Sequence, residues 1–237
     1  MSKSQYHYLD TNILLAMSIL NDDSFEIADE YLKQENYTFI STTVCKEAEK
    51  KIDKLKIVSS KIIDFIKEYS LNNNINIIKI DNCRFNIEKI FLDQYKDMDF
   101  PENIEKSKFI EIVHEFFKKH TQEINEILII NDDKNLFENA NTAYKINKAR
   151  LHAFVKGKTC ITFISSGSKI NDFKKIGAHK NDAILLDESY QLYLTLNKPI
   201  HFITFDSDVL DLKNKILKNI TKNVTVSSPI EFTQINT

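Results

Sequence analysis

The sequence predicts an α/β protein whose parallel β-sheet is covered by helices on both faces and carries a mostly helical insertion. Three observations lead there. Short β-rich runs alternate with amphipathic helical stretches at both ends of the chain. Between about 97 and 176 that alternation is lost, yet no Pro/Gly/Ser-rich linker sets the segment apart, so it reads as an elaboration of one domain. The 237 residues are 42% hydrophobic and 28% charged, an ordinary globular balance that can bury one sizeable core.

The first element is the apolar and aromatic run YHYLDTNILL (6–15), read as a buried strand ending at Asp10. A helix is expected from Ser24 to Glu35, with Phe25, Ala28, Tyr31 and Leu32 at helical spacing. YTFIS (37–41) predicts a second strand. Thr42 and Thr43 then cap a helix striped by Val44, Ala48, Ile52 and Leu55, with KIIDFIKEY continuing the helical arm. Three consecutive asparagines (72–74) break the pattern before a third β-rich run, INIIKI (75–80), and a helix over 85–95.

Within the insertion, 109–118 and 143–154 read as amphipathic helices, and EILII and CITFIS as short β-like runs. The alternation then resumes. Asp182 to Leu196 is an apolar helix entered through Asn181, and IHFITF (200–205) a strand. Val209, Leu212, Ile216 and Ile220 mark one more helix, and 224–226 a last short strand before SSPIEF.

Composition removes several chemistries. Only Gly157, Gly167 and Gly177 are present, so neither a dinucleotide fingerprint nor a phosphate-binding P-loop can be built. Cys45, Cys83 and Cys160 are odd in number and far apart, which suits reduced thiols in a core better than a disulfide framework or a zinc ribbon. None of the six histidines forms H-E-x-x-H, and no G-x-S-x-G elbow surrounds Ser165 to Ser168. No apolar run approaches the length of a membrane span and the N-terminus lacks the apolar core of a secretion signal, so a soluble cytoplasmic protein is expected. With a net charge of −2, attraction to nucleic acid must come from local patches. Lysines recur over 46–61, over 145–158 together with Arg150, and over 174–180; the choice for phosphate contact is Lys145, Lys148, Arg150, Lys156 and Lys158, which lie in the inserted segment.

Two places share one design, an apolar strand that stops at an aspartate and passes into a helix: YLD at Asp10 and ITFDSD at Asp206. Functional groups of an open parallel sheet gather beyond the carboxyl ends of its strands. Carboxylates brought together there repel unless some are protonated or a cation sits among them. Oxygen ligands without His or Cys favour Mg²⁺ or Mn²⁺, ions that polarise a phosphodiester and acidify water. Glu47 and Glu49 flank the apolar stripe of their helix on opposite sides, and periodicity does not choose between them.

In this arrangement the chain resembles the PIN-domain ribonucleases. The matching segments, in order, are LDTNILL with Asp10, ISTTVCKE with Glu47, HKNDAILLDESYQL with Asp182, FITFDSDVL with Asp206, and the closing VTVSSPIEF. They cover about 1–96 and 177–237, with 97–176 as an addition that compact members lack. The resemblance implies a three-layer αβα fold and a metal-dependent endoribonuclease in which Asp10, Asp182 and Asp206 bind Mg²⁺ or Mn²⁺. Glu47 then serves a second ion or the water, Asp208 is an auxiliary ligand, and Asn12 orients Asp10. It further implies an RNA substrate and the biology of a bacterial toxin or defence effector, with an antitoxin or other regulatory protein and self-association as the expected partnerships. Two readings of the same segments stay open: an inactive PIN-like adaptor in a larger complex, and a DNA structure-specific nuclease, since the acids alone do not separate RNA from DNA.

Overall fold

A computed structural model describes residues 5–19, 22–34, 36–72, 87–93, 106–120, 124, 134–161 and 167–233. In chain order its elements are β1 (Tyr6–Leu9), α1 (Thr11–Ser18), α2 (Phe25–Leu32), β2 (Tyr37–Ser41), α3 (Thr42–Asn72), α4 (87–93), α5 (Lys106–Lys119), α6 (Lys134–Lys156) and β3 (Thr159–Ile161). There follow α7 (Ile170–Lys175), α8 (Lys180–Leu196), β4 (Ile200–Ile203), α9 (Ser207–Leu210), α10 (Lys213–Asn219), β5 (Val224–Ser227) and α11 (Pro229–Thr233).

The chain packs as two compact units, Met1–Lys50 with Ile146–Thr237, and Lys51–Lys145. These bounds fall elsewhere than the ends of the expected insertion: residues 51–96 belong with the second unit and 146–176 with the first. The first unit holds the sheet. Among the described residues its five strands lie in the order β3-β2-β1-β4-β5, all parallel, with β1 in the middle. Alternating side chains of β1 face opposite layers, as a strand's period of two requires. His7 points toward α2 and α11, where it meets Tyr31 and Phe232. Tyr8 points toward α8, stacked on Phe202 of β4 and bonded to Glu188. The sheet is therefore covered on both faces, the αβα layering that the alternation predicts.

Several segments differ from the sequence expectation. Helix α8 starts at Lys180 with His179 at its N-cap, so Asn181 lies inside it, and IHFITF is strand only over Ile200–Ile203. The run after Asp10 does not wait until Ser24 to become helical: Asp10 takes an extended conformation, accepts a hydrogen bond from Thr11 N, and starts α1 at once. The stretch 207–220 is two short helices, because Asp211 and Leu212 interrupt it. The INIIKI and EILII runs lie outside the described residues. Of CITFIS, Cys160 and Ile161 fall in β3 (Thr159–Ile161) and 162–165 lie outside the described residues; the three residues of β3 pair with Phe39, Ile40 and Ser41 and form an edge of the sheet among the described residues.

The described residues of the second unit are helical and carry a core of their own. Phe65, Phe91, Phe109, Phe116 and Phe117 pack there with Ile62, Ile66, Ile87 and Val113. Phe91 is fully buried, its ring 5.2 Å from Phe65, 6.1 Å from Phe109 and 6.4 Å from Phe117. No described helix is long and apolar enough to cross a membrane.

Candidate functional site

Strand order makes one position special. From β1 the chain moves outward to β2 on one side, and it later returns to place β4 on the other side of β1, so connections leave β1 and β4 in opposite directions. At such a switch point the loops beyond the strand ends diverge and leave a crevice. Asp10 ends β1 and Thr204–Phe205–Asp206 follow β4 at this point.

Beyond these two strand ends lies a hydrogen-bonded clasp. Asp10 is buried, with 7% of its surface exposed. Its Oδ1 accepts from Thr11 N at 2.6 Å, and its Oδ2 accepts from Asn12 Nδ2 at 2.9 Å and Thr204 Oγ1 at 2.7 Å. Asn12 Nδ2 also donates to Thr204 Oγ1, and Asn12 Oδ1 accepts from Phe205 N at 3.1 Å. Thr204 Oγ1 accepts again from Asp206 N at 2.9 Å. One side-chain hydroxyl thus donates once and accepts twice, its full capacity. Three donors thus converge on one buried carboxylate.

Asp206 is half-buried and caps α9, its Oδ1 accepting from Asp208 N at 2.9 Å; Asp208 itself is exposed. Glu47, half-buried on α3, accepts from Thr11 Oγ1 at 3.0 Å. Glu49 turns instead to His152, whose Nε2 lies 3.4 Å from Glu49 Oε1. The symmetry between the two glutamates is thus broken by their partners. Asp182 is half-buried in the first turn of α8. Asp10, Glu47 and Asp206 therefore belong to one hydrogen-bonded network, joined through Thr11 and Thr204.

Carboxylate and hydroxyl oxygens are hard donors, and in kind they fit Mg²⁺ or Mn²⁺ better than zinc. Among the described residues, no three His, Cys, Asp or Glu side chains gather into a metal-ion cage.

Sequence reading passed over three residues beside this network. Thr11 and Thr204 are the hydroxyls that link the acids. Glu188, 1% exposed in the middle of α8, accepts from Tyr8 Oη at 2.5 Å and from Thr43 Oγ1 at 2.5 Å. Tyr8 Oη also lies 2.8 Å from Ser41 Oγ. Burial, then the charge of Glu188, pushes the Tyr8 hydroxyl well above its ordinary value, so it remains a donor; the charge of Asp10 adds to this in a smaller measure. Asp187, fully buried next door, accepts from Gly167 N at 3.2 Å and Lys169 N at 2.9 Å and so anchors the turn that leads into α7. The available signal was two consecutive acids inside the apolar helix AILLDESYQL, since a buried carboxylate demands partners.

The basic patch divides. At 100° per residue, Lys145, Lys148 and Lys156 fall on one side of α6 and Arg150 on the other. Arg150 covers the ring of Phe25 at 5.0 Å. Lys158 lies 5.5 Å from the centre of the Phe154 ring, and burial lowers the pKa of its ammonium group. The thiols also depart from expectation: Cys45 is half-buried and Cys160 is exposed, because β3 is an edge strand, while Cys83 lies outside the described residues.

No family model, curated protein or solved structure matches the chain. The functional reading rests on the site's own geometry and on the ordered motifs.

Proposed function

We propose that the chain is a metal-dependent endoribonuclease of PIN type, cleaving RNA phosphodiester bonds. The observation that carries this reading is the buried Asp10 carboxylate, held by three hydrogen-bond donors at the β1/β4 switch point with Asp206 and Glu47 in the same network. A structural N-cap needs one such bond and no burial.

Asp10, Asp182, Asp206 and Glu47 would hold Mg²⁺ or Mn²⁺, with Asp208 at the rim. Bound there, such an ion supplies positive charge to the scissile phosphate and lowers the pKa of water. The chain's own contribution is positional. Asn12 and Thr204 fix the plane of the Asp10 carboxylate, Thr11 aims Glu47, and Thr204 ties the Asp206 backbone to the same point. Lys145, Lys148 and Lys156 supply phosphate contacts along one side of α6, and Arg150 and Lys158 contribute charge nearby. A regulatory protein of antitoxin type is the partner this reading expects.

The test is cleavage of total RNA and of single-stranded DNA with Mg²⁺, with Mn²⁺, and with chelator, using wild type and Asp10→Asn. Asparagine is also a good N-cap, so the acceptor for Thr11 N is kept while one carboxylate oxygen is lost, and circular dichroism of the variant checks the fold. Expected are metal-dependent RNA cleavage and a loss of at least ~100-fold in Asp10→Asn, the scale on which removing a group essential to the chemistry acts. Cleavage that ignores chelator, or that survives in Asp10→Asn, removes the proposal. RNA binding without cleavage favours the adaptor reading, and preference for DNA the structure-specific nuclease.

A further inference from the structure

One interior carboxylate joins three of the elements that carry the acids. Glu188 is 1% exposed in the middle of α8, the helix that bears Asp182 in its first turn. Its Oε2 accepts from Tyr8 Oη at 2.5 Å, and Tyr8 stands on β1 two residues before Asp10. Its Oε1 accepts from Thr43 Oγ1 at 2.5 Å, at the start of α3. Thr43 precedes Glu47 by four residues, so the two side chains lie one above the other on one face of α3. That face is pinned twice, at Thr43 by Glu188 and at Glu47 by Thr11. The same network fixes where α3 begins: Ser41 Oγ, 2.8 Å from Tyr8 Oη, accepts from Val44 N at 3.1 Å.

Burying a carboxylate carries a desolvation cost that an apolar side chain of the same size does not. What the carboxylate adds is direction. Apolar contact is non-directional and holds a helix against a sheet without fixing its rotation, whereas hydrogen bonds weaken steeply with distance and angle. A rotation of α3 that breaks the Thr43 bond also carries Glu47 away from Thr11.

We propose that Glu188 is a positioning residue for the metal-binding acids: through Tyr8 and Thr43 it sets Asp10 and Glu47 relative to Asp182 on its own helix. The assignment rests on the proposed function, in which those acids hold Mg²⁺ or Mn²⁺. Glu188 is buried with both oxygens engaged, so it acts through the elements it joins and not on the ion or the RNA. Its neighbour Asp187 is equally buried on the same helix but bonds the turn at 167–169, which makes it an internal control.

The experiment titrates the full chain with Mn²⁺, reading bound metal from the loss of the free-ion paramagnetic resonance signal, and measures RNA cleavage across the same Mn²⁺ range. Circular dichroism at low temperature checks that each variant is folded. Glu188→Gln keeps the size and one carbonyl acceptor but sets an amide donor against the other partner. Thr43→Val removes the hydroxyl at constant shape, and Thr43→Ser restores it. Partners behind metal ligands typically contribute about 10- to 100-fold to affinity, so Glu188→Gln and Thr43→Val should each weaken Mn²⁺ binding about 10-fold, with Thr43→Ser within about twofold of wild type. Cleavage should fall in parallel at low Mn²⁺ and recover as Mn²⁺ is raised, and Asp187→Asn should bind Mn²⁺ as wild type does. Wild-type affinity in both Glu188→Gln and Thr43→Val overturns the proposal and leaves the metal-dependent reading standing. Equal weakening in Asp187→Asn also overturns it, since any loosening of α8 would then suffice. If Glu188→Gln does not fold, the Thr43 pair decides: weakening by Val without rescue by Ser counts against the proposal. A wild-type chain that neither binds Mn²⁺ nor cleaves RNA removes the proposed function and this assignment together.

Discussion

Acidification should unfold the sheet-bearing unit through one histidine. His7 is fully buried in β1, hydrogen-bonded to the Tyr31 hydroxyl, with His201 edge-on at 5.3 Å and Phe232 at 4.8 Å. Burial, followed by the nearby His201, lowers its pKa from 6.5 to about 3. His201 is lowered too, by burial and then by Lys213. The fold thus holds His7 neutral, while the unfolded chain protonates it below pH 6.5. Between those values the unfolded state binds the extra proton, so stability is whole above pH 6.5 and falls as pH drops toward 3. Lowering a pKa by one corresponds to about 1.4 kcal/mol, so the whole window amounts to about 5 kcal/mol, a large part of a typical domain's stability. Carboxylates titrate in the same range, so the measurement is a difference: urea unfolding of wild type and His7→Gln at pH 7.5, 6.5, 5.5 and 4.5. Glutamine keeps a polar partner for Tyr31 and does not titrate. Wild type should lose about 2 kcal/mol relative to His7→Gln between pH 6.5 and 4.5. A difference that stays constant with pH would refute the reasoning, because the buried ring would then be accepting its proton within the fold.

Three further outcomes follow from other parts of the molecule. Asp187→Ala strips the acceptor from two backbone N–H groups of the turn at 167–169 and should cost about 2 to 4 kcal/mol, measured by chemical denaturation, whereas Asp187→Asn should cost less. Phe91→Ala opens a cavity among the aromatic rings of the second unit and should cost about 3 to 5 kcal/mol, seen as a lower thermal midpoint without loss of Asp10-dependent cleavage. Replacing Lys145, Lys148 and Lys156 together by Gln should weaken single-stranded RNA binding and flatten the slope of log affinity against log salt by about 2, at roughly 0.7 per phosphate contact. An unchanged slope would place the RNA elsewhere.

Strand β2 can be read to the residue because YTFIS is bounded by Asn36 on one side and by two helix-starting threonines on the other. Helix α1 hides for the opposite reason. Five of its eight residues, Thr11, Ile13, Leu14, Ala16 and Ser18, are buried, so no polar face betrays a period of 3.6 and the segment after Asp10 shows no helix before Ser24. Strand β3 is signalled only by the β-like run CITFIS, which begins one residue after it starts; two of its three residues are exposed, so burial does not alternate along it. At the site, the aspartates at strand ends are legible because an acid that stops an apolar run is conspicuous. Their supports are not. Thr204 meets Asp10 across 194 positions and Glu188 meets Tyr8 across 180, and only the packed sheet brings such distances to nothing. The choice between Glu47 and Glu49 is of the same kind, made by Thr11 and His152 rather than by the helix that carries both.

The saturated hydroxyl of Thr204 sets a condition on anything that lands in the crevice. A newcomer that seeks this oxygen finds no vacancy and enters by displacement: it must carry off the proton given to Asp10 or supplant Asn12 or the Asp206 amide. Each exchange slackens the tie between the ends of the two central strands. Valine at position 204 would remove at once the donor to Asp10 and the acceptor shared by Asn12 and the Asp206 amide, leaving the β1/β4 backbone ladder and the Asn12–Phe205 bond to hold these ends together.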